Sequence, residues 1–432
     1  MKQLGIHSVI VGFALFSMFF GAGNIIFPPY VGLAAGKEWF SGFLCYYMAD
    51  VGLALVAVFA MLRTQSIDRV ESIMGRLGDL PAKTMMVVIL ICIGPLLAMP
   101  RTCATSYSMA VAPFVGGGSL AASLVFTVFF FGMTILFSIR ESVLVDLVGR
   151  YLTPLLVAGL LLLIIMGVVS PIGEISQTPK VDNVFWMGVS AGYQTLDVLA
   201  IIVFGLLVVN AMKARGYSSS RMQFISVGLA SAIAGLFLFI VYGGLCYLGA
   251  TTSAIFPETV DKGLLVTAIS SRIFGPLGAA ILSVVISLAF LTTAIALAGS
   301  MGTFFNTLTN GRFAYKNGVI VACLFSGVVA NFGLNNIIAL AAPILTIVYP
   351  GVLAVILLSL FDRQIKNDAI FRLAAAGAMA FSFCEVMAWH WPETFAFVKS
   401  VPFQEHGFGW ILPATVCGLI GTFINPARRN AT

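Results

Sequence analysis

The sequence predicts an all-α membrane protein that crosses the bilayer twelve times. Three observations predict it. The chain has 432 residues, 60% of them hydrophobic and 9% charged, against roughly 25% charged in a typical soluble domain. Apolar runs of about 20 residues, the length of one helical crossing, recur from end to end. Lys and Arg concentrate on alternate loops. A span with its short loop takes about 30–37 residues, so the length holds about twelve and leaves almost no room for a soluble domain. The apolar runs are continuous rather than alternating, which argues against a β-barrel.

Apolar runs and their breaks place the spans at 6–35, 40–62, 84–113, 119–139, 143–170, 183–211, 224–250, 276–308, 317–333, 336–360, 370–391 and 408–425. Segment 263–274 reads as a short amphipathic helix before the eighth span. The N-terminal run carries one lysine and no convincing cleavage site, so a first span is expected rather than a removed signal. With the N-terminus inside, the inner loops hold Lys2, Arg63, Arg69, Arg76, Lys83, Arg140, Arg150, Lys213, Arg215, Arg221, Arg312, Lys316, Arg363, Lys366, Arg372, Arg428 and Arg429. The outer loops hold Lys37, Lys180, Lys262, Arg272 and Lys399, and Arg101 lies within a span. A split of 17 to 5 predicts both termini in the cytoplasm.

Other classes are excluded by what is missing. The basic residues serve topology and form no nucleic-acid patch. The seven cysteines lie in apolar runs without a pairing pattern and read as small packing residues. His7, His390 and His406 are scattered. Gly32–Lys37 is one residue short of a P-loop and is followed by Glu38, so no ATPase is expected. An enzyme would need clustered His, Cys or carboxylates; the polar residues gather at helix breaks instead. A channel is the remaining non-carrier class, and only flux without counterflow would reveal it.

Two spans are broken. Phe20-Gly21-Ala22-Gly23-Asn24 interrupts the first near 21–24, with Pro28 and Pro29 following. Ser190, Gly192, Tyr193, Gln194, Thr195 and Asp197 interrupt the sixth near 190–197. Irregular backbone at membrane depth survives only where it lines a cavity or is buried in protein. Glycines also let helices pack closely. Paired interruptions in corresponding spans are nevertheless the best sequence pointer to a transporter site.

The residues at these breaks carry a resemblance. Phe13-Ala14-Leu15-Phe16-Ser17-Met18-Phe19-Phe20-Gly21-Ala22-Gly23-Asn24-Ile25-Ile26-Phe27-Pro28-Pro29 resembles the first-span signature of the bacterial branched-chain amino acid:cation symporters of the BrnQ type. Ile93-Gly94-Pro95-Leu96, Pro100-Arg101-Thr102, Gly192-Tyr193-Gln194-Thr195-Leu196-Asp197 and Leu291-Thr292-Thr293-Ala294-Ile295 match in the same order, with Leu196 where Met is expected. The resemblance implies a LeuT-like five-plus-five inverted repeat. Its first repeat would be 1–170, its second 183–360, and two extra helices would fill 370–432. It also implies Na⁺-coupled import of Leu, Ile and Val across a bacterial inner membrane by rocking of spans 1, 2, 6 and 7. No organic cofactor and no nucleic acid are expected; the partners are the amino acid and the lipid bilayer. The oligomeric state stays open. A proton-coupled transporter of the same fold, or one carrying another small neutral amino acid, is the alternative.

A zwitterion needs donors for its carboxylate and acceptors for its ammonium. Half-helix N-termini near Asn24 and Gln194 offer N–H groups. Unwound carbonyls around Phe20, Gly21, Ala22 and Gly23, and around Ser190 and Gly192, offer acceptors. An apolar subsite separates one methylene from none by only about 1–3 kcal/mol, so Leu, Ile and Val are expected to share it. Ala289, Thr292 and Thr293 share one face of the eighth helix. The resemblance implies that they hold Na⁺ together with the Ser17 and Phe20 carbonyls; threonines alone often bond their own helix. Arg101 lies with Thr102, Thr105 and Tyr107 in the third span and is expected near the site. Asp197 is expected to hold the break, pair with Arg101, or exchange a proton. Asp50 and Glu385 read as structural. Asp146, Arg140, Glu141 and Arg150 read as a solvated ion-pair cluster.

Overall fold

Helices follow directly from these runs. In lipid every backbone polar group must find a partner within the chain, and a helix supplies it locally. The computed structural model describes residues 2–63, 73–112, 115, 119–140, 145–217, 219–260, 262–332 and 334–424, and among them no strand occurs. Arg69, Glu141, Arg428 and Arg429 lie outside the described residues.

The chain forms α1 (Lys2–Phe19), α2 (Ala22–Ala35), α3 (Trp39–Tyr47), α4 (Leu53–Arg63), α5 (Asp79–Ile91), α6 (Met99–Ser106) and α7 (Leu120–Ser138). There follow α8 (Thr153–Val169), α9 (Val184–Tyr193), α10 (Asp197–Ala214), α11 (Ser220–Ala250), α12 (Lys262–Phe274) and α13 (Pro276–Leu308). The last are α14 (Tyr315–Ala330), α15 (Leu334–Ser359), α16 (Asp368–His390) and α17 (Ile411–Thr422). Each expected span has its helix or helix pair, and α12 is the short helix expected at 263–274. Among the described residues, nine helical stretches are long and apolar enough to cross a membrane. One of them, Gly23–Leu62, covers parts of two expected spans. The shorter helices Gly5–Phe19, Tyr315–Ala330 and Ile411–Thr422 carry the rest of the twelve-span plan.

The chain divides into two compact units, Met1–Leu55 with Ile93–Ile337, and Val56–Cys92 with Ile338–Thr432. The first contains the broken spans. Its core is aromatic, with Phe16, Phe20, Phe43, Tyr46, Phe204, Tyr242 and Phe290 fully buried. Phe20 stacks between Phe16 and Tyr242, with centroids 5.5 Å and 5.9 Å away.

Glycine sets how closely α2 approaches α11. A Cβ on Gly32 would collide with the Cys246 carbonyl, and one on Gly249 with the Pro29 carbonyl. Removing the side chains brings the two backbones into contact, the usual route to tight helix pairs in lipid. The C-terminal end of α2 is held by a loop: Lys37 N–H donates to the Ser176 carbonyl at 2.9 Å, and Lys180 N–H to the Ala34 carbonyl at 2.8 Å.

The second unit has its own centre at Arg76. The guanidinium meets Asp362 Oδ1 at 2.7 Å and Asp368 Oδ1 at 2.6 Å, and stacks on Phe371. Asn367 caps α16 by accepting from Ala369 N–H at 3.0 Å. A surface cluster departs from expectation: Asp146 pairs with Arg215 at 2.6 Å, and no pairing with Arg140 or Arg150 is seen among the described residues. Arg215 ends α10, where a cation complements the helix dipole and its guanidinium also donates to the Ala211 carbonyl.

Candidate functional site

The first break is narrow. Phe20 N–H still reaches the Phe16 carbonyl at 2.9 Å, Gly21 N–H turns back to Phe19 at 2.7 Å, and α2 starts at Ala22. Pro28 and Pro29 sit inside α2 without ending it. Lacking N–H groups, they leave the carbonyls one turn earlier, those of Asn24 and Ile25, without their helical donors. The second break lies later than the composition suggests. Ser190 and Gly192 are helical, α9 runs to Tyr193, and the irregular stretch is Gln194, Thr195 and Leu196. Leu196 takes φ 63°, a left-handed conformation that a branched side chain rarely adopts, and α10 opens at Asp197. Strain held at a membrane-buried break points to function.

Four elements meet at these breaks. Asn24 Nδ2 donates to Asp197 Oδ2 at 2.7 Å and to the Tyr242 hydroxyl. The Thr195 hydroxyl lies 2.7 Å from the Gly192 carbonyl and 2.8 Å from Asp50 Oδ1. Asp50 sits in a π-helical turn, Met48–Gly52, between α3 and α4. Such turns occur mostly where function demands them. Asp50 is 1% exposed, and its contact with Thr195 ties this turn to the second break. An aspartate in an apolar run was the available signal; its partner Thr195, 145 residues further along, was not visible.

A cavity of about 50 Å³, room for a few water molecules, opens beside the breaks. Gly21, Asn24, Arg101, Thr102, Thr195, Asp197 and Thr293 line its polar side. Phe19, Ile93, Leu97, Phe204 and Leu297 line its apolar side. Arg101 makes no hydrogen bond or ion pair with described residues, and its buried Nε has no partner. It faces Asp197 electrostatically without closing to an ion pair. Thr102 donates to its own helix at Met99. Thr105 is buried outside the cavity lining. Gln194 is exposed and donates to the Ser190 hydroxyl at 3.1 Å; these two and Tyr193 are not part of the lining. A Cβ on Gly192 would collide with the Tyr46 carbonyl, so this glycine lets α9 lie against α3. Phe20 and Gly23 are not part of the lining, although the Phe20 carbonyl lies 3.3 Å from the Thr293 hydroxyl, and of Ala22 only the helix start is described.

The eighth span meets the first at Thr293. Its hydroxyl lies 3.2 Å from the Ser17 carbonyl, 3.3 Å from that of Phe20 and 3.2 Å from that of Ala289. One hydroxyl proton serves one carbonyl well, so three acceptors converge on less than they need. Thr292 donates to Ala289 at 2.8 Å and does not reach α1. Ser17 also accepts from Thr153 through its hydroxyl at 2.9 Å, which fixes α8 against α1.

An all-helical membrane protein with two facing helix breaks, a polar cavity between them and a carbonyl cluster beside it is a carrier by architecture. The comparisons specify which. Residues 5–428 match the family model described as branched-chain amino acid transport protein. The branched-chain amino acid permease BraB of Bacillus subtilis is 36% identical over 98% of this chain and 97% of its own. The branched-chain amino acid transport system 2 carrier protein of Pseudomonas aeruginosa is 36% identical over 95% and 94%. The chain belongs to this family of multi-pass membrane transporters and is no enzyme.

Solved structures show the LeuT-like fold. The nucleobase-cation-symport-1 transporter Mhp1 aligns over 96% of this chain and 92% of its own, with TM-score 0.60 and 13% identity. A Na⁺-coupled sialic acid symporter aligns over 99% and 91%, with TM-score 0.60 and 14% identity. MhsT in complex with L-phenylalanine aligns over 96% and 98%, with TM-score 0.54 and 17% identity.

Proposed function

We propose that this protein imports branched-chain amino acids with Na⁺ across a bacterial inner membrane, with both termini in the cytoplasm. The observation that carries the ion is the convergence of the Ser17, Phe20 and Ala289 carbonyls on the Thr293 hydroxyl. Hard cations prefer such oxygen sets. Na⁺ there would brace α1 against α13. Thr292 would turn its hydroxyl from its own helix to complete the set.

Arg101 takes the substrate carboxylate. Its side chain borders the cavity and its buried Nε has no partner among the described residues, and Arg binds carboxylates in two-pronged geometry. Backbone carbonyls at the Phe20–Gly21 break and at Gln194–Leu196 take the ammonium. Phe19, Ile93, Leu97, Phe204 and Leu297 take the aliphatic side chain. Gly192, Ser190, Tyr193 and Gln194 shape the second break rather than touch substrate, and Thr105 supports Arg101 from the same helix. Facing breaks five spans apart fit two repeats, 1–170 and 183–360, with 370–432 added outside them. Equilibrium binding of labelled isoleucine to the purified protein, in NaCl against KCl, tests the reading. Binding that strengthens with Na⁺ is expected; equal binding in both salts would remove the ion from the account.

A further inference from the structure

The cavity beside the breaks has room for a few water molecules, so a wall must move before an amino acid enters. The contacts around α2 show which seam can part. Toward α11 the packing is backbone on backbone at Gly32 and Gly249, with no side chain to rearrange. α12 is fixed to α13 in the same way. The Ser270 hydroxyl donates to the Gly278 carbonyl at 2.7 Å, and a Cβ on Gly278 would collide with the Ser270 carbonyl. α2 with α11 is thus one body and α12 with α13 another, joined by the turns over 251–260.

The seam between α2 and α12 is crossed by side chains. Leu265, Val266 and Ile269 give α12 a buried apolar face. Such contacts have no direction and can slide. Lys262, the first residue of α12, is different. Its Nζ lies 4.8 Å from the Phe27 ring centroid and 4.5 Å from that of Tyr30. Phe27 and Tyr30 stand three residues apart on α2, so their rings share a face. Both distances are within the reach at which a ring face attracts a cation. All three residues are half-buried, where loss of water strengthens the attraction.

The clamp also reaches the site. A Cβ on Gly23 would stand 3.5 Å from the Phe27 ring and 3.9 Å from Thr195 Cα. The ring that meets Lys262 therefore packs back on the first break, beside the second.

We propose that Lys262 is a tethered ammonium that latches α12 to α2, and that the Phe27–Tyr30 pair is a binding site for a primary ammonium. With the ammonium on the rings the seam is closed. When it withdraws, α2 and α11 part from α12 and the first break is reached from that side. The latch rests on the carrier architecture and on neither the substrate nor the ion assignment.

Hydrogen–deuterium exchange of the full-length protein in bilayers, read by mass spectrometry without amino acid or Na⁺, tests this. Lys262→Ala is expected to exchange faster than wild type over 22–35 and 262–274, by roughly two- to thirtyfold, the worth of one cation–π contact. Exchange over 368–390 is expected to stay as in wild type. Propylammonium chloride supplies the atoms that alanine lacks and is expected to restore protection in Lys262→Ala; KCl at the same concentration is not. Lys262→Arg keeps protection, because a guanidinium also stacks on rings. Tyr30→Leu shows the same regional rise with the lysine in place, and propylammonium does not reverse it. If Lys262→Ala does not fold, Tyr30→Leu carries the test alone. Unchanged exchange over 22–35 in either variant overturns the proposal. So does a rise in Tyr30→Leu that extends over 368–390, or a rise in Lys262→Ala that KCl reverses as fully as propylammonium.

Discussion

Asn24 on α2 and Asp197 at the start of α10 are joined by a 2.7 Å hydrogen bond that ties one broken span to the other. The same amide also reaches the Tyr242 hydroxyl, so both of its protons are used. The two halves of the site are thereby held as one object, and changes at either break are felt at the other.

Asn24→Ala removes that link and leaves Asp197 a donor short. An unsatisfied buried polar group costs about 1–3 kcal/mol. Lower thermal stability and weaker isoleucine binding are expected together. Paired melting and binding measurements check this; loss of neither would show that the breaks are held elsewhere.

Arg101→Gln is expected to weaken isoleucine binding by about 1.5–3 kcal/mol, roughly ten- to hundredfold in Kd, the worth of a hydrogen bond to a charged group. Arg101→Lys should recover part of it, because a lysine keeps the charge but loses the fork. Competition with isoleucinamide gives the second readout. Wild type should reject the amide, and Arg101→Gln should treat acid and amide more alike.

Gly249→Ala places a methyl against the Pro29 carbonyl, with backbone on both sides and nothing to give way. Overpacking of this kind costs about 1–3 kcal/mol or more, so a marked loss of melting temperature is expected. Gly132→Ala meets nothing within 4 Å and serves as the neutral comparison. Equal melting of the two would contradict the close α2–α11 packing.

Arg76→Met should destabilise the second unit by about 2–4 kcal/mol, because it strips Asp362 and Asp368 of their shared cation in a half-buried setting. Isoleucine affinity should be little changed. Chemical unfolding against binding separates the two effects.

Much of this molecule was legible in its sequence because lipid reduces structure to a few rules. Continuous apolar runs located the long helices among the described residues, and the short helix at 263–274 stood out by its polarity. Gly21, Gly23 and the Gly192–Asp197 stretch marked both breaks. Helix boundaries at the second break were misplaced by several residues, because Ser190 and Gly192 look like breakers yet are helical, and Gly192 serves close packing against α3. The left-handed turn falls instead on Leu196, a residue with no such preference. Asp50 was visible as a costly charge, but its contact with Thr195 depends on a π turn that no composition announces. Thr292 and Thr293 share a helix face by spacing, and only the rotation of α13 decides that Thr293 meets α1.

Uptake of labelled isoleucine into proteoliposomes at constant pH, with an inward Na⁺ gradient or with none, tests the central claim most directly. The account predicts accumulation that requires Na⁺ in the wild type and is lost in Thr293→Ala, while Gly132→Ala behaves as wild type. Accumulation that proceeds equally without Na⁺, or that survives unchanged in Thr293→Ala, would contradict it.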